Sequence, residues 1–408
     1  MIKKKIINDP IYGFIDIPDG IIFKLIEHPW FQRLRRIKQL GLTDLVYPGA
    51  LHTRFQHAIG AMHLMKEGLE NLRAKGIKIT GEEMEAAMIA ILLHDIGHGP
   101  FSHALENNLL QVKHEEISLL VMERLNEEFN NRLEMAESIF NSTYPKKFLS
   151  ELVSSQLDVD RLDYLTRDCF FTGVNEGQIG TERIIKMLNV VGNELVVEEK
   201  AIYSIENFLS ARRLMYWQVY LHKTTIGAEQ MLNLLVRRAR YLSHSGKLES
   251  GNSILREFLG RDISLHEFRK DESLLSRFLV LDDNDLWSEI KHWQNSDDNV
   301  LKELSRMLVN RKLFAVILSN SPIKYPLVHQ VLKSLGDQYK MNRTEAGYMV
   351  AEGVTSNAAY IVKGMSIKVL MKNSHILDIT EAADLPNIKA MSKIVKKYYL
   401  SWPKSVSL

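Results

Sequence analysis

The chain has 408 residues, 45% of them hydrophobic, enough to bury a large core, and predicts one large domain with an appendage. Its 52 basic and 50 acidic residues leave a formal net charge of +2, which gives no global signal for a nucleic-acid or membrane binder; local basic clusters remain open to phosphates. The single cysteine, Cys169, excludes an internal disulfide framework and fits a reducing compartment.

The first 20 residues read as short and turn-rich, with NDPIYGF and IPDG marking bends and the lysines at 3–5 a solvated tail. MIKKKIINDPIYG carries basic residues but no apolar core of a secretory signal. No apolar run approaches the roughly 20 residues that span a bilayer, so a soluble cytoplasmic protein is expected. From there to about residue 320 helical periodicity dominates. IIFKLIEHPWFQRLRRIKQLG and RFQHAIGAMHLMKEGLENLRAKG both end in a glycine stop. TGEEMEAAMIAILLHDIGHG opens with a threonine cap and an acidic first turn. Further helices are expected at 115–130, 132–140, 147–155, 158–168, 181–190 and 205–243, with NELVVEEKAIY as a short strand or hairpin. After SNSPIKYP the texture changes. AGYMVAEGV, SIKVLMKN and HILDIT read as strands, and LPNIKAMSKIVKKYYL as a closing helix. The expected architecture is mostly α, with a helical core over 1–320 and a small α+β region over 321–408.

Residues 94–103, HDIGHGPFSH, place three histidines and an aspartate at the end of an apolar helix, where groups buried without partners cost several kcal/mol each. His94 and His98 share a face if the helix continues; Gly97, Gly99 and Pro100 suggest that it breaks and turns His98 and His103 inward. Imidazole and carboxylate suit a first-row divalent ion such as Mn, Fe, Co, Ni or Zn, and the lack of nearby cysteine argues against a closed structural zinc site. His57, just inside a helix start, and Asp160, in LDVDRLDYLTRD, are two further ligand candidates. Two histidines and two aspartates would leave open positions for water and a substrate oxygen. Asp160, Tyr164 and Asp168 recur every four residues with Arg161 and Arg167 beside them, and Arg212, Tyr216 and Tyr220 form a second such stripe. Guanidinium forks suit a polyphosphate, and Asp or Tyr suits a sugar hydroxyl. Plainer readings stand beside these. His52 and His63 read as structural or surface residues, Asp163 as part of an exposed salt-bridged face, Met215 and Trp217 as core, and the Arg212–Tyr220 stripe equally as packing.

INDPIYG, FQRLRRIKQLG, YPGALHTRFQHAIG, HDIGHGPFSH, HEE and DVDRLDYLTRDC follow in the order seen in HD-domain deoxynucleoside triphosphate triphosphohydrolases of the HD phosphohydrolase superfamily. The chain most resembles the sterile-alpha-motif and HD-domain branch, without its sterile-alpha-motif domain. The likeness is strong over residues 5–240 and weak beyond. It implies a metal, a transition ion or Mg, held by His57, His94, Asp95 and Asp160, and cleavage of a dNTP to nucleoside and triphosphate. It further implies that His98, His103 and His114 surround the phosphates, with His103 the general acid, while Glu106 and Glu115 orient histidines or hold a proton. By the same resemblance Arg54, Arg161 and Arg212 contact phosphates. Tyr164 and Asp168 flank the deoxyribose, with Tyr220 and Gln39 beside it. Arg161 replaces the lysine common in that branch, keeping the charge but not the geometry.

The resembled branch forms tetramers with activating nucleotides between subunits. Lys5, Asn8, Gln32, Arg35, Arg183, Lys200 and Arg311 match positions used there, whereas Glu27, Gly180, Glu198 and Ala315 replace residues that grip those nucleotides. The expectation is a homo-oligomer, dimer or tetramer, that is constitutive or answers to a different nucleotide effector. Two rival readings are a phosphohydrolase of another nucleotide or phosphate ester, and a non-catalytic nucleotide or single-stranded nucleic-acid binder. The acidic pair that usually follows HD in (p)ppGpp hydrolases is absent from HDIGHG. Nucleic-acid binding is otherwise not indicated, and no membrane is.

Overall fold

The computed structural model describes residues 5–106, 108–357, 366–385 and 394–406, without the side chains of His103 and Asn357. The protein is mostly helical, with three small sheets among the described residues. Among the described residues no helix is long and apolar enough to cross a membrane.

The centre of the molecule is the helix Gly81–Leu93, whose residues 86–93 are all buried. Thr80 and Glu83 start it by exchanging hydrogen bonds, each side chain accepting from the other's backbone N–H, at 2.8 and 3.1 Å. From Ala86 onward it is apolar on every side, so that part is enclosed rather than amphipathic. The helix Arg54–Ala74 packs along it, and Val159–Thr172 packs on Arg54–Ala74 in turn. These three helices bring together segments about a hundred residues apart.

Two expected helices are interrupted. Residues 21–41 break at His28, because Pro29 disfavours helical geometry in the residue before it, giving Ile21–Glu27, Pro29–Gln32 and a 3-10 turn at Arg33–Arg36. The stretch 205–243 divides into Ile202–Met215, a π-turn at Tyr216–Tyr220 and Lys223–His244. Its second helix starts at His222, whose Nδ1 accepts from Thr224 N–H at 3.2 Å.

Strands β1 (Lys5–Asp9) and β2 (Gly13–Ile17) form an antiparallel hairpin over the turn-rich N-terminus. The expected central hairpin is β3 (Leu188–Val191) and β4 (Glu194–Glu198). The sequence had pointed to helix up to about residue 320, but β5 (Ala315–Ser319) is a strand. The expected strands appear as β6 (Ala351–Asn357), β7 (Lys368–Leu370) and β8 (Ile376–Asp378). Of the expected closing helix, residues 386–393 lie outside the described residues, and Val395–Trp402 is instead β9. β9 sits between β5 and β6 with antiparallel register on both sides, and its last three residues, Leu400, Ser401 and Trp402, are buried on both faces of the sheet. β7 joins β4 in parallel, making the order β3-β4-β7-β8.

Candidate active site

The apolar helix ends at Leu93, so His94 and Asp95 stand at its mouth and His98 does not continue its face. Gly97 is required here: a Cβ on it would meet His114 O at 2.3 Å and Ser118 N at 2.4 Å. That close approach lets Ser118 Oγ accept from Gly97 N–H at 3.0 Å and donate to His94 O at 2.7 Å. The buried Arg33 holds the same loop, donating to the carbonyls of Ile96 and His98, both at 2.8 Å. Burial lowers its guanidinium to about 10. Phe101 and Ser102 then take left-handed φ values of 56° and 52°, uncommon for non-glycine residues. Phe101 N–H is held at 2.7 Å by Asp283, whose carboxyl burial raises to about 6.

Four sequence-expected ligands converge. His57 Nε2 lies 3.4 Å from His94 Nε2 and 3.1 Å from Asp160 Oδ1. His94 Nε2 lies 3.5 Å from Asp160 Oδ1 and 3.4 Å from Asp95 Oδ1, and Asp95 Oδ2 lies 3.7 Å from His57 Nε2. Metal–ligand bonds of about 2.1 Å put neighbouring donors roughly 3.0–3.4 Å apart, so His57, His94 and Asp160 together could hold a divalent ion, while Asp95 borders them through two different oxygens and also groups with His98 and His114. The outer nitrogens are engaged as ligand histidines require: His57 Nδ1 is 2.7 Å from Asp163 Oδ2, and His94 Nδ1 is 2.6 Å from Ile91 O. Burial lowers the affinity of His57 for a proton, but the Asp160 and Asp163 carboxylates outweigh it and raise the group to about 10. Burial also opposes ionisation of Asp160, and the His57 and His94 rings overcome it, holding the carboxyl far below the usual range.

Asp163 and Arg167 correct the sequence reading. Asp163 is not on an exposed face but fully buried behind His57, and Arg167 does not flank the cavity. Arg167 donates to both Asp163 oxygens, at 3.0 and 2.9 Å, and to Asp9 at 2.8 Å. The available signal was the three-residue spacing of Asp160 and Asp163, which puts both on one helix face.

A cavity of about 780 Å³ opens beside the cluster, within the range of ligand sites, and His94, Asp95, Asp160, Arg161 and Tyr164 line it. Gln39, Arg54, His114, Glu115, Asp168, Tyr216, Tyr220 and Glu229 line it too. Arg54 is buried and committed to Asp95 and, at 2.7 Å, to Ser102 Oγ. Arg161 Nε donates to Ser155 O at 2.7 Å, and buried Arg212 reaches Gln156 Oε1 at 3.2 Å. Asp168 accepts from Tyr220 OH at 2.6 Å, while His52 Nε2 lies 2.7 Å from its other oxygen, so His52 is structural and holds a cavity group. His98 sits behind Asp95, its Nδ1 at 3.3 Å from Oδ1, and its ring stacks on His114 at 3.8 Å. His114 Nδ1 is 2.9 Å from Glu106 and 3.5 Å from Glu115. The side chain of His103 lies outside the described residues. Glu229 was not anticipated. It makes no hydrogen bond or ion pair among the described residues, and burial raises its carboxyl to about 7.

Of the positions matched to effector binding, Arg35 stacks on Phe55 at 3.5 Å, Arg183 donates to Lys200 O at 2.9 Å, and Arg311 to Leu45 O at 2.8 Å. Glu198 pairs with Lys75 at 2.7 Å.

Residues 54–168 match the HD domain and residues 179–250 the HD associated region. The protein YwfO of Bacillus subtilis is 31% identical over 328 residues, 78% of this chain and 73% of the relative. The deoxynucleoside triphosphate triphosphohydrolase SAMHD1 of Gallus gallus is 26% identical over 78% of this chain and 57% of its own length; the SAMHD1 homolog of Dictyostelium discoideum is 31% identical over 60% and 52%. A crystal structure of a phosphohydrolase from Bacteroides thetaiotaomicron superimposes with a TM-score of 0.94 at 50% identity, covering 98% of this chain and 100% of that one. With ligand geometry, sequence and fold in agreement, the chain belongs to the HD phosphohydrolase family.

Proposed function

We propose that the protein hydrolyses deoxynucleoside triphosphates to deoxynucleoside and inorganic triphosphate. The observation that carries this reading is the pairing, in one cavity, of the four-ligand cluster with a separately anchored Asp168–Tyr220 pair able to take a sugar hydroxyl. Gln39 Oε1 is buried in the cavity wall without a hydrogen-bond partner among the described residues, which suits it to a ligand. The triphosphohydrolase relatives support the same substrate class.

His57, His94 and Asp160, joined by the adjacent Asp95, would hold one divalent ion, Mn, Fe, Co, Ni, Zn or Mg. When bound, such an ion polarises a phosphoryl oxygen and lowers the pKa of water. Arg161, on the cavity wall, places a cation for the phosphates, and Tyr164 and Tyr220 exclude water from the sugar side. Arg54, held against Asp95, orients that carboxylate while it neutralises charge, and Arg212 supports the wall from behind. Glu106 fixes the His114 ring at Nδ1, leaving the other nitrogen for a proton or a phosphate oxygen, and Glu115 adds negative charge to the same ring. His98 braces both Asp95 and His114, and His103 is assigned the proton transfer to the leaving 5′-oxygen. We assign the enzyme to the cytoplasm as a dimer or tetramer, constitutive or with a different nucleotide effector, since Glu198, paired with Lys75, is acidic where the resemblance expects a phosphate-binding arginine.

The test is product analysis with each dNTP and each candidate metal, with and without added nucleotides, against a His94→Ala, Asp95→Ala control. Deoxynucleoside plus triphosphate from the intact protein alone is the expected result. No turnover of any dNTP, or release of monophosphate or pyrophosphate, sinks the reading and moves the substrate to another phosphate ester.

A further inference from the structure

We propose that Asp9, at the turn of the N-terminal hairpin, is a positioning residue for the metal centre, acting through Arg167 and Asp163 on the ring of His57. The inference rests on His57 being a metal ligand. Its test separates the two ideas.

Asp9 ends β1, and its two oxygens are divided between two tasks. Oδ1 accepts from the backbone N–H of Ile11 at 2.9 Å and of Tyr12 at 3.1 Å, which forms the turn through Pro10. Oδ2 accepts from Arg167 Nη1 at 2.8 Å. Arg167 then grips Asp163 with Nε and Nη2, and Asp163 Oδ2 meets His57 Nδ1 at 2.7 Å. Every member of the chain is at most 4% exposed. In such surroundings charged hydrogen bonds are short, directional and little screened by salt.

Two further observations show a relay shaped for this place. Gly60, on the same helix as His57, leaves the space the pair occupies: a Cβ there would lie 2.1 Å from Asp163 Oδ1 and 2.2 Å from Arg167 Nη2. Tyr12, from the same hairpin turn, lies within 5.7 Å of the Arg167 guanidinium and packs on His63 at 5.1 Å. The hairpin is thus keyed into the back of the ligand cluster by Asp9 and Tyr12, 45 or more positions before His57 in the chain. Without the carboxylate, Arg167 loses its third anchor and Asp163 can swing, so the His57 ring is no longer held on the ligand centre. Outer partners of metal ligands typically set affinity by roughly 10- to 100-fold.

The experiment is equilibrium dialysis of the full chain against Co and Mn with metal quantified per chain, alongside thermal unfolding. Asp9→Asn keeps an oxygen for the turn and removes only the anionic acceptor. It should weaken metal binding by about 10-fold or more and speed metal loss to a chelator. Arg238→Gln breaks a less buried ion pair, with Asp298, that touches none of the cluster residues, and should lower the melting temperature while leaving metal affinity unchanged. Should Asp9→Asn not fold, Arg167→Lys, which keeps the charge but cannot hold Asp163 with two donors, replaces it with the same expectation. Affinity within twofold of the unmodified protein in a folded variant overturns the relay. His94→Ala binding metal as the unmodified protein does would overturn the metal centre itself, independently of Asp9.

Discussion

Two buried histidine–aspartate pairs bridge the same two segments of the molecule, five residues apart on each. His57 meets Asp163 at 2.7 Å, and His52 meets Asp168 at 2.7 Å. Their orientations are opposite. In the first pair the aspartate lies behind and the imidazole turns Nε2 toward His94 and Asp160. In the second the imidazole lies behind, stacked on Phe171 at 4.6 Å, and the aspartate faces the cavity and Tyr220. Which partner is presented decides the chemistry: a nitrogen donor with its tautomer fixed at one end, an acceptor for a hydroxyl at the other.

The sharpest way to break that comparison is to remove the presented group. His57→Ala should abolish metal retention, measured as metal per chain after dialysis, and activity should fall to that of chelator-treated protein. Asp168→Asn should leave metal content unchanged and lower kcat/KM by roughly 10- to 100-fold, the loss of a charged hydrogen bond worth about 1.5–3 kcal/mol. Equal metal loss in both variants would show that the two pairs are not separable. The groups behind should matter less: Asp163→Asn should weaken metal binding by roughly 10- to 100-fold without abolishing it. Proton linkage adds a sign. His57 is held up to about 10 without metal, so an ion must displace its proton and affinity should rise with pH across neutrality, visible as proton release in calorimetry in buffers of different ionisation enthalpy. The smallest effect lies outside both pairs. The Glu229 carboxyl is raised to about 7, so the folded state favours its protonated form, and that advantage is complete below its unfolded value and disappears as pH rises toward 7. Glu229→Gln should match the unmodified protein at pH 4 and be more stable by roughly 1–3 kcal/mol at pH 8 in urea unfolding.

The histidine–aspartate cluster was legible because its chemistry leaves a local trace. His94 and Asp95 close an apolar helix, His57 opens one, and Asp160 falls among carboxylates on a third. The helices 54–74 and 81–93 were legible for the same reason, with caps and periodicity agreeing. The second layer left a fainter trace, the three-residue spacing of Asp160 and Asp163. Asp163 next to Arg167 reads as an ordinary surface i,i+4 pair until helix Arg54–Ala74 is laid over it, and Glu229 is one acid on an amphipathic helix. β9 was misread because residues 394–402 carry enough lysine and apolar spacing to resemble a helix, while its pairing partners, β5 and β6, lie about 40 to 80 residues earlier.

Sequence alone determined the family likeness, the candidate ligand residues and the mainly helical character, since these rest on residue type, short spacing and capping that act within a few turns of chain. Tertiary structure decided which histidine–aspartate partner faces the cavity, that Asp163 and Arg167 are buried, and that Asp9 of the N-terminal hairpin pairs with Arg167 far along the chain. Those outcomes depend on burial and on contacts between distant segments, which raise or lower the worth of a charge by several kcal/mol and have no local signature.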